Sequence, residues 1–467
     1  MAYALGIDVG TSSCKTVLVD PTGRVVSSGT VGYDVEADGS MDPLKWWRAA
    51  IASIWQCCDD AGVAQRQIVA VGCSGQMQGC TFVDSAGAPS RNSLLWCDPV
   101  ATAQSRRLNE AHGDLFLREC AQPSTPALMG SKIRWVIEND PDSWATTAQV
   151  MFASNFIAFM LTGRVATDHN NIGFSGLDSV ARSDWSGELV EASGIPMDRL
   201  PEVLDSASVI GVVSSQAAEA TGLQAGTSVI NGTGDVAAEC YAIALNGPGE
   251  LKLRLGSAAA ANMVVPRALL SSASHALPYV HANSIVIGSY ITTCGLALKW
   301  ARDTFFGELR NMPDAYSLMD EEASRSRLGA NGARYFTGSY GLVGEPFQSR
   351  GDVVRACYEG ISFSIRSMIQ DDAILSGADH VLLCGGGASS SLWVSCLASI
   401  LGTDLRIPRY SDASYGAALM AGDSVGVLDA GAAASISRSS GRTVRFDRAD
   451  RDAYEPQFQH YSEALRA

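Results

Sequence analysis

The stretch LGIDVGTSSCKTVLVD, Leu5 to Asp20, decides how the chain is read. At first sight it is a phosphate loop, G-x-x-x-x-G-K-[ST], but the run from Gly10 to Thr16 is one residue short and lacks the second glycine. A P-loop leads from a strand into a helix. Here Lys15 is followed by Thr16, Val17, Leu18 and Val19, then by the turn-forming run Asp20, Pro21, Thr22, Gly23, and Val25 and Val26 resume an extended pattern. The segment predicts a ladder of antiparallel hairpins with Gly10, Thr11, Ser12 and Ser13 at the first tip. Such a tip offers backbone N–H groups and hydroxyls to a phosphate without any helix dipole. Asp8, just before the tip, would repel a phosphate unless Mg²⁺ or a water shell stood between them. On these residues alone, an ordinary hairpin in which Asp8 caps its own turn explains the stretch equally well.

A second copy changes the weighing. With Gly10 set on Gly256, LGIDVGTSSCKTVLV faces LKLRLGSAAAANMVV, Leu251 to Val265. Leu5 matches Leu251, Ile7 matches Leu253, Val9 matches Leu255 and Thr11 matches Ser257. The same hairpin is thus expected twice, about half a chain apart, and two such tips across a cleft could grip one polyphosphate. Asp8 and Lys15 are replaced in the second copy by Arg254 and Ala261, so the copies are not functionally equal.

The chain has 467 residues, 46% hydrophobic and 18% charged, a globular composition long enough for two or three domains. Its net charge of −15 disfavours nucleic acid and anionic membrane surfaces as partners. The start, MAYALGIDVG, carries no basic region followed by an apolar run, so no secretory signal is expected and the reading is cytoplasmic. The most apolar window, Val150 to Gly163, is too short to span a bilayer and predicts a buried core helix. Twelve scattered cysteines without a C-x-x-C predict reduced thiols, and the six histidines show no metal-ligand spacing.

Along the chain, Asp42 reads as an N-cap with Pro43 at the first helical position. Trp47, Ala50, Ile51, Ile54 and Cys58 follow with helical spacing, and Gly62 is the stop. Strands and helices then alternate to about residue 245, an α/β pattern. Gly247, Pro248 and Gly249 form the best hinge. The expected organisation is an N-terminal domain over 1–246, a C-terminal domain over 247–426, and a tail over 427–467. In that tail DAGAAASISRSSGR reads as a small-residue loop, and the charged segment after it as a helix packing back.

Four further constellations could carry chemistry. In SVINGTGDVAAECYAIAL, Ser228 to Leu245, Asp235 opens a helix after two glycines; it is either a cap or a carboxylate placed to accept a hydroxyl proton. In GCSGQMQG, Gln76 and Gln78 flank Met77, which suits a polyol or a solvent-facing loop. In LLWCDP, Trp96 offers an apolar face and Asp98 a hydroxyl acceptor, although a structural Trp reads the same way. In CGGGASSS, Gly385, Gly386, Gly387 and Ala388 let a base or a phosphate lie against backbone. The triple glycine is the sole feature in favour of a nicotinamide-dependent dehydrogenase.

Taken in order, DVGTSSCK, GQMQG, LLWCD, NGTGDVAA, LRLGSAAA and LLCGGGASSSLW…SYGAALMAG resemble the FGGY carbohydrate kinases, within them the xylulokinases most. The resemblance implies an α/β fold of two RNase H-like, actin-like ATPase domains flanking a central cleft. It implies ATP and Mg²⁺ as cofactors, a sugar or polyol as substrate with D-xylulose first, and it admits a homodimer. It makes Asp235 the general base and Asp8 the residue positioning Mg²⁺, with Asp235 also near the metal. Gly10, Thr11, Ser12, Ser13 and Lys15, with Gly256 and Ser257, would hold phosphates. Gly385 to Ala388 would flank the adenosine, and Gln76, Met77, Gln78, Trp96 and Asp98 would line the sugar pocket. Hinge closure about Gly247–Gly249 would exclude water.

The chain departs from the xylulokinase pattern in four places. Gln78 stands where xylulokinases usually have histidine, Cys97 where they have asparagine, and Ala258 removes a tip hydroxyl. The G-E-R-T-P segment expected after Ala333–Phe336 is missing, and TGSYGL follows almost directly. These departures put the sugar in question more than the kinase core. They also leave open a regulator that binds ATP or sugar without turnover, against which the presence of both Asp8 and Asp235 argues.

Overall fold

The computed structural model describes residues 1–272, 276–281, 283–338, 341–344 and 346–466; His275 and the Ser339–Tyr340 pair of TGSYGL lie outside them. The chain divides into two compact units. The first comprises 1–244, 264–287 and 410–437; the second comprises 245–263, 288–409 and 438–467. The polypeptide passes from one unit to the other at 244/245, 263/264, 287/288, 409/410 and 437/438.

The first unit opens with the predicted hairpin ladder. Strands β1 (Tyr3–Val9), β2 (Ser13–Val19) and β3 (Val25–Gly32) pair antiparallel in succession. Helix α1 (Pro43–Ala61) is capped as expected: the Asp42 side chain accepts from Leu44 N–H, Pro43 leads the first turn, and Gly62 ends it at φ 62°. Its buried face is Trp46, Ala49, Ala50, Ser53, Ile54, Cys57 and Cys58. Ala50, Ile54 and Cys58 of the expected stripe are buried, whereas Trp47 and Ile51 are half-buried and Trp46 takes the buried place above the sheet. Strand β4 (Ile68–Gly75) then lies parallel to β1, Ser228–Ile230 lies parallel to β4, and Val209–Val212 closes that edge antiparallel. Leu5, Ile7, Val9, Leu18, Ile54, Val71, Phe156 and Val229 share one buried cluster. Each such side chain contributes about 1.5–3 kcal/mol on burial.

The reason 410–437 joins this unit is steric. The helix Ala413–Ser424 lies on β1, β4 and the helix Asp235–Ala242 through glycine contacts. A Cβ on Gly6 would stand 1.9 Å from Ser414 O, and one on Gly416 would stand 1.9 Å from Ala238 O. No side chain larger than hydrogen fits at either place.

The second unit repeats the order. Ala259–Pro266 pairs antiparallel with Glu250–Leu255, which is parallel to His380–Cys384, which is parallel to Leu405–Ile407, which pairs antiparallel with Arg442–Val444. The series antiparallel, parallel, parallel, antiparallel is that of β2, β1, β4, Ser228–Ile230 and Val209–Val212. The two aligned hairpins therefore occupy equivalent strands.

In the tail, the run expected as a small-residue loop is instead the helix Ala430–Ser439; alanine has the highest helix propensity, and Asp429 accepts from Ala432 N–H at 2.9 Å. The charged segment is the helix Arg448–Arg466, and Tyr454, Phe458 and Tyr461 pack against Phe363 and Ile400. The apolar window contains the core helix Ala153–Thr162, ended by Gly163 at φ 76°. Among the described residues no helix is long and apolar enough to cross a membrane. All twelve cysteines are free, and each but Cys97 is buried.

Candidate active site

Strand β1 carries Asp8 to the first glycine tip. Backbone register sets Val9 against Cys14 and Asp8 against Lys15. Gly10 N–H donates to Ser13 O at 2.9 Å and closes the tip. From the end of β3, the Tyr33 hydroxyl donates to Gly10 O at 2.6 Å and Tyr33 N–H donates to Ser12 O at 3.0 Å. The tip is thus fixed by backbone and phenol together.

Two of the residues expected to line the sugar pocket, Gln76 and Trp96, reach this tip. Trp96 Nε1 donates to Thr11 Oγ1 at 3.0 Å, Thr11 Oγ1 lies 3.4 Å from Gln76 Oε1, and Gln76 Nε2 donates to Gly10 O at 3.2 Å. Trp96 remains 46% exposed, so its indole face is open while its N–H is engaged. Met77 is buried, with its Sδ 2.1 Å from where a Cβ on Gly234 would stand. Gln78 adopts φ 69°, a left-handed conformation costing a non-glycine residue of order 1 kcal/mol and concentrated at functional sites. Asp98 is buried and accepts from Val100 N–H at 3.0 Å.

Asp235 is the first residue of its helix, not its cap; Gly234 is the N-cap. Its carboxylate accepts from the next backbone N–H, Val236, at 2.8 Å, and the residue is half-buried. The two glycines before it are filled by the protein: a Cβ on Gly232, at φ +78°, would stand 2.1 Å from Cys73 O.

Asp8 is a strongly perturbed carboxyl of this site. Burial chiefly, then the charges of Asp235, Glu239 and Asp412, push its carboxyl up to about 7, against a smaller opposing effect of Ser74. Its Oδ1 is buried with no hydrogen-bond partner among the described residues. Lys15 turns away from this atom and donates to Asp412 Oδ2 at 3.1 Å.

Among the described residues, no group of three His, Cys, Asp or Glu side chains is placed to hold a metal ion unaided. An orphaned carboxylate oxygen within the fields of three further carboxylates nevertheless suits a hard cation that completes its shell with water and phosphate oxygens, as Mg²⁺ does.

In the second unit, Gly256 N–H donates to Ala258 O at 3.0 Å, so this tip is one residue tighter. Gly256 and Ser257 line a cavity of about 490 Å³ together with Gly386, Gly387, Tyr316, Asp320, Tyr358 and Trp393. Tyr358 stacks on Trp393 at 5.0 Å and 12°, and Ser390 Oγ donates to Asp320 Oδ1 at 2.6 Å. Gly385 and Ala388 are not in this lining. Gly385, at φ +89°, is pressed against Leu255 O, and Ala388 is buried.

Sequence reading missed Glu239 and Asp412. Glu239 follows Asp235 by four residues, hence on the same helix face, a spacing visible in the sequence. Asp412 caps the helix of SYGAALMAG, and only the fold reveals that this helix lies on β1. Missed too was Lys132, fully buried, whose ammonium donates to Pro126 O and Ala127 O at 2.6 Å each.

The two repeated units define a mixed α/β protein of the actin-like ATPase fold. The chain matches the FGGY family of carbohydrate kinases, N-terminal domain, over residues 3–240 and C-terminal domain over 253–424. It belongs to that family, and is an ATP-dependent carbohydrate kinase. Autoinducer-2 kinases of Salmonella typhimurium strain LT2 and Escherichia coli strain K12 are each 28% identical across 96% of this chain and 89% of theirs. The xylulose kinase of Rhodospirillum rubrum superposes with a TM-score of 0.85 at 21% identity over 99% of this chain and 98% of its own. The glycerol kinase of Plasmodium falciparum, solved with ADP, does so at 0.80 and 19% over the same shares.

Proposed function

We propose that the chain transfers the γ-phosphoryl group of ATP to a hydroxyl of a small sugar or sugar-like carbonyl compound, with Asp235 as general base. The observation that carries this is the orphaned Asp8 oxygen beside the glycine tip, in a field of carboxylates that includes Asp235. Asp235, half-buried at the start of its helix, takes the proton of the attacking hydroxyl. Asp8, with Asp235, would hold Mg²⁺, which when bound neutralises phosphate charge. The backbone and hydroxyls of Gly10 to Ser13 receive phosphate oxygens, as do Gly256 and Ser257. The 490 Å³ cavity beside Gly386 and Gly387 takes the nucleoside. Phosphoryl transfer asks for little covalent help, so positioning and charge neutralisation dominate.

Two acceptors stand on different observations. D-xylulose rests on the ordered motifs. Autoinducer-2 rests on kinases of that compound 28% identical along nearly the whole chain, and on the Gln78 and Cys97 departures from the xylulokinase pattern. We place autoinducer-2 first, because the xylulose kinase structures, at 21%, speak for the fold only. The test is ADP release with Mg-ATP across autoinducer-2, D-xylulose, other ketoses, aldoses and polyols, repeated with Asp235→Ala. Acceptor-dependent ADP formation abolished by the substitution is expected; release that ignores the acceptor or survives the substitution would sink the mechanism.

A further inference from the structure

Behind Asp235 lies a buried network that the phosphoryl-transfer reading does not use. Asp168 is wholly buried, yet its carboxylate collects five donors. Thr233 Oγ1 donates at 2.6 Å, Ser206 Oγ at 2.7 Å and Asn171 Nδ2 at 2.7 Å, and the backbone N–H groups of Asn170 and Asn171 each donate at 3.2 Å. Beside it Asn231 Nδ2 donates to Thr167 O at 2.7 Å. On the other side the same turn is held by β4, where Thr233 pairs with Ser74 and Gly234 with Gly75. Gly232 sits against Cys73 O and Gly234 against Met77 Sδ, so the turn from Asn231 to Gly234 has no free direction. Asp235 is the next residue.

Burying a carboxylate costs several kcal/mol before its bonds offset it, and apolar side chains of similar size would hold two segments together as well. What a carboxylate adds is direction: it fixes the rotamer of the Thr233 hydroxyl, and with it the backbone two residues before the base. We propose that Asp168 is a positioning residue that sets the orientation of Asp235 through Thr233. The inference rests on Asp235 being the general base.

Three variants test it. Thr233→Val keeps shape and removes the donor, Thr233→Ser keeps the donor, and Ser206→Ala removes an equivalent side-chain donor from the same carboxylate while leaving in place the Ser206 backbone, whose O accepts from Gly232 N–H at 3.0 Å. Misplacing a catalytic group by a fraction of an ångström costs about tenfold or more in rate. Thr233→Val is therefore expected to lower kcat about tenfold or more with acceptor KM within about twofold. Thr233→Ser should restore kcat, and Ser206→Ala should keep it despite a comparable loss of thermal stability. Hydrogen exchange over 231–240, which needs no turnover, should quicken in Thr233→Val and not in Ser206→Ala. Equal kcat losses in Thr233→Val and Ser206→Ala, or a Thr233→Val with native kcat or native exchange, would overturn the positioning role. A wild-type chain inactive on every acceptor sinks the general-base reading and this role with it, whatever the exchange shows.

Discussion

Lys15 Nζ lies 3.1 Å from Asp412 Oδ2, although Lys15 stands directly opposite Asp8 across the first hairpin. The lysine read from sequence as a phosphate ligand is therefore engaged by the cap of the helix Ala413–Ser424. Both side chains are more than a third exposed, so the pair is worth only about 0–1 kcal/mol. Such a bond is easily exchanged for a phosphate oxygen. Lys15→Met is expected to leave the melting temperature within about 3 °C and to raise the KM for ATP about three- to tenfold. Asp412→Asn, which keeps the cap, should lower that KM by releasing the lysine. Steady-state titration of ATP decides; an unchanged KM in Lys15→Met removes Lys15 from the nucleotide site.

The seating of Ala413–Ser424 on β1 depends on Gly6, where a Cβ would stand 1.9 Å from Ser414 O and 2.5 Å from Ala418 N. These are backbone atoms, so the helix as a whole must move. Gly6→Ala is expected to cost about 3 kcal/mol or to prevent folding. Gly113 follows a kink at His112 (φ −140°) in the helix Thr102–Cys120 and meets nothing within 4 Å, so Gly113→Ala should be tolerated and gain at most about 0.5–1 kcal/mol. Urea unfolding of both variants gives the contrast; equal effects would mean that helix and sheet are less closely packed than described.

The first hairpin was legible because its signals are local: alternating aliphatic residues, a glycine tip, and an Asp-Pro-Thr-Gly turn. Its second copy was legible by alignment alone. Helix α1 was legible in its caps but not in its exact face, since Trp46 and Trp47 both fit a helical stripe and only the sheet above selects between them. The Ala430–Ser439 helix reads as a loop from its small residues, although alanine, the strongest helix former, is the commonest residue in it. What the sequence could not reveal are contacts over long separations: Asp412 in the field of Asp8 and Asp168 under Thr233. Each depends on strand order rather than on any neighbour in the chain.

Thr11 Oγ1 accepts from Trp96 Nε1 and donates to Gln76 Oε1 at the first glycine tip, so under the proposed function it links the phosphate and acceptor sites. Trp96→Phe keeps an aromatic face and loses one hydrogen bond worth about 1 kcal/mol, so acceptor KM should rise about fivefold. Trp96→Ala also removes the face and should raise it further. Thr11→Val breaks both links and should raise the KM for acceptor and for ATP together. Initial-rate measurements with each substrate varied in turn test this. Acceptor KM indifferent to both Trp96 variants would place the sugar elsewhere.

Asp178 gives the clearest pH dependence of stability. Both its carboxyl oxygens are buried without a hydrogen-bond partner among the described residues. Burial chiefly, with the charge of Glu119 adding and the Cys120 thiol opposing, pushes its carboxyl up to about 7 from 3.8. Between about pH 4 and about 7 the folded chain keeps a proton that the unfolded chain has released. The contribution of Asp178 is thus fully present below about pH 4, falls as pH rises through that window, and levels off above it. Across the window the loss is on the order of a few kcal/mol. Asp178→Asn cannot ionise, so unfolding free energies measured at pH 5 and pH 8 should differ less in the variant than in the wild type, with the variant gaining at pH 8. Parallel pH dependences in the two chains would show that Asp178 ionises in the folded state as readily as in the unfolded one.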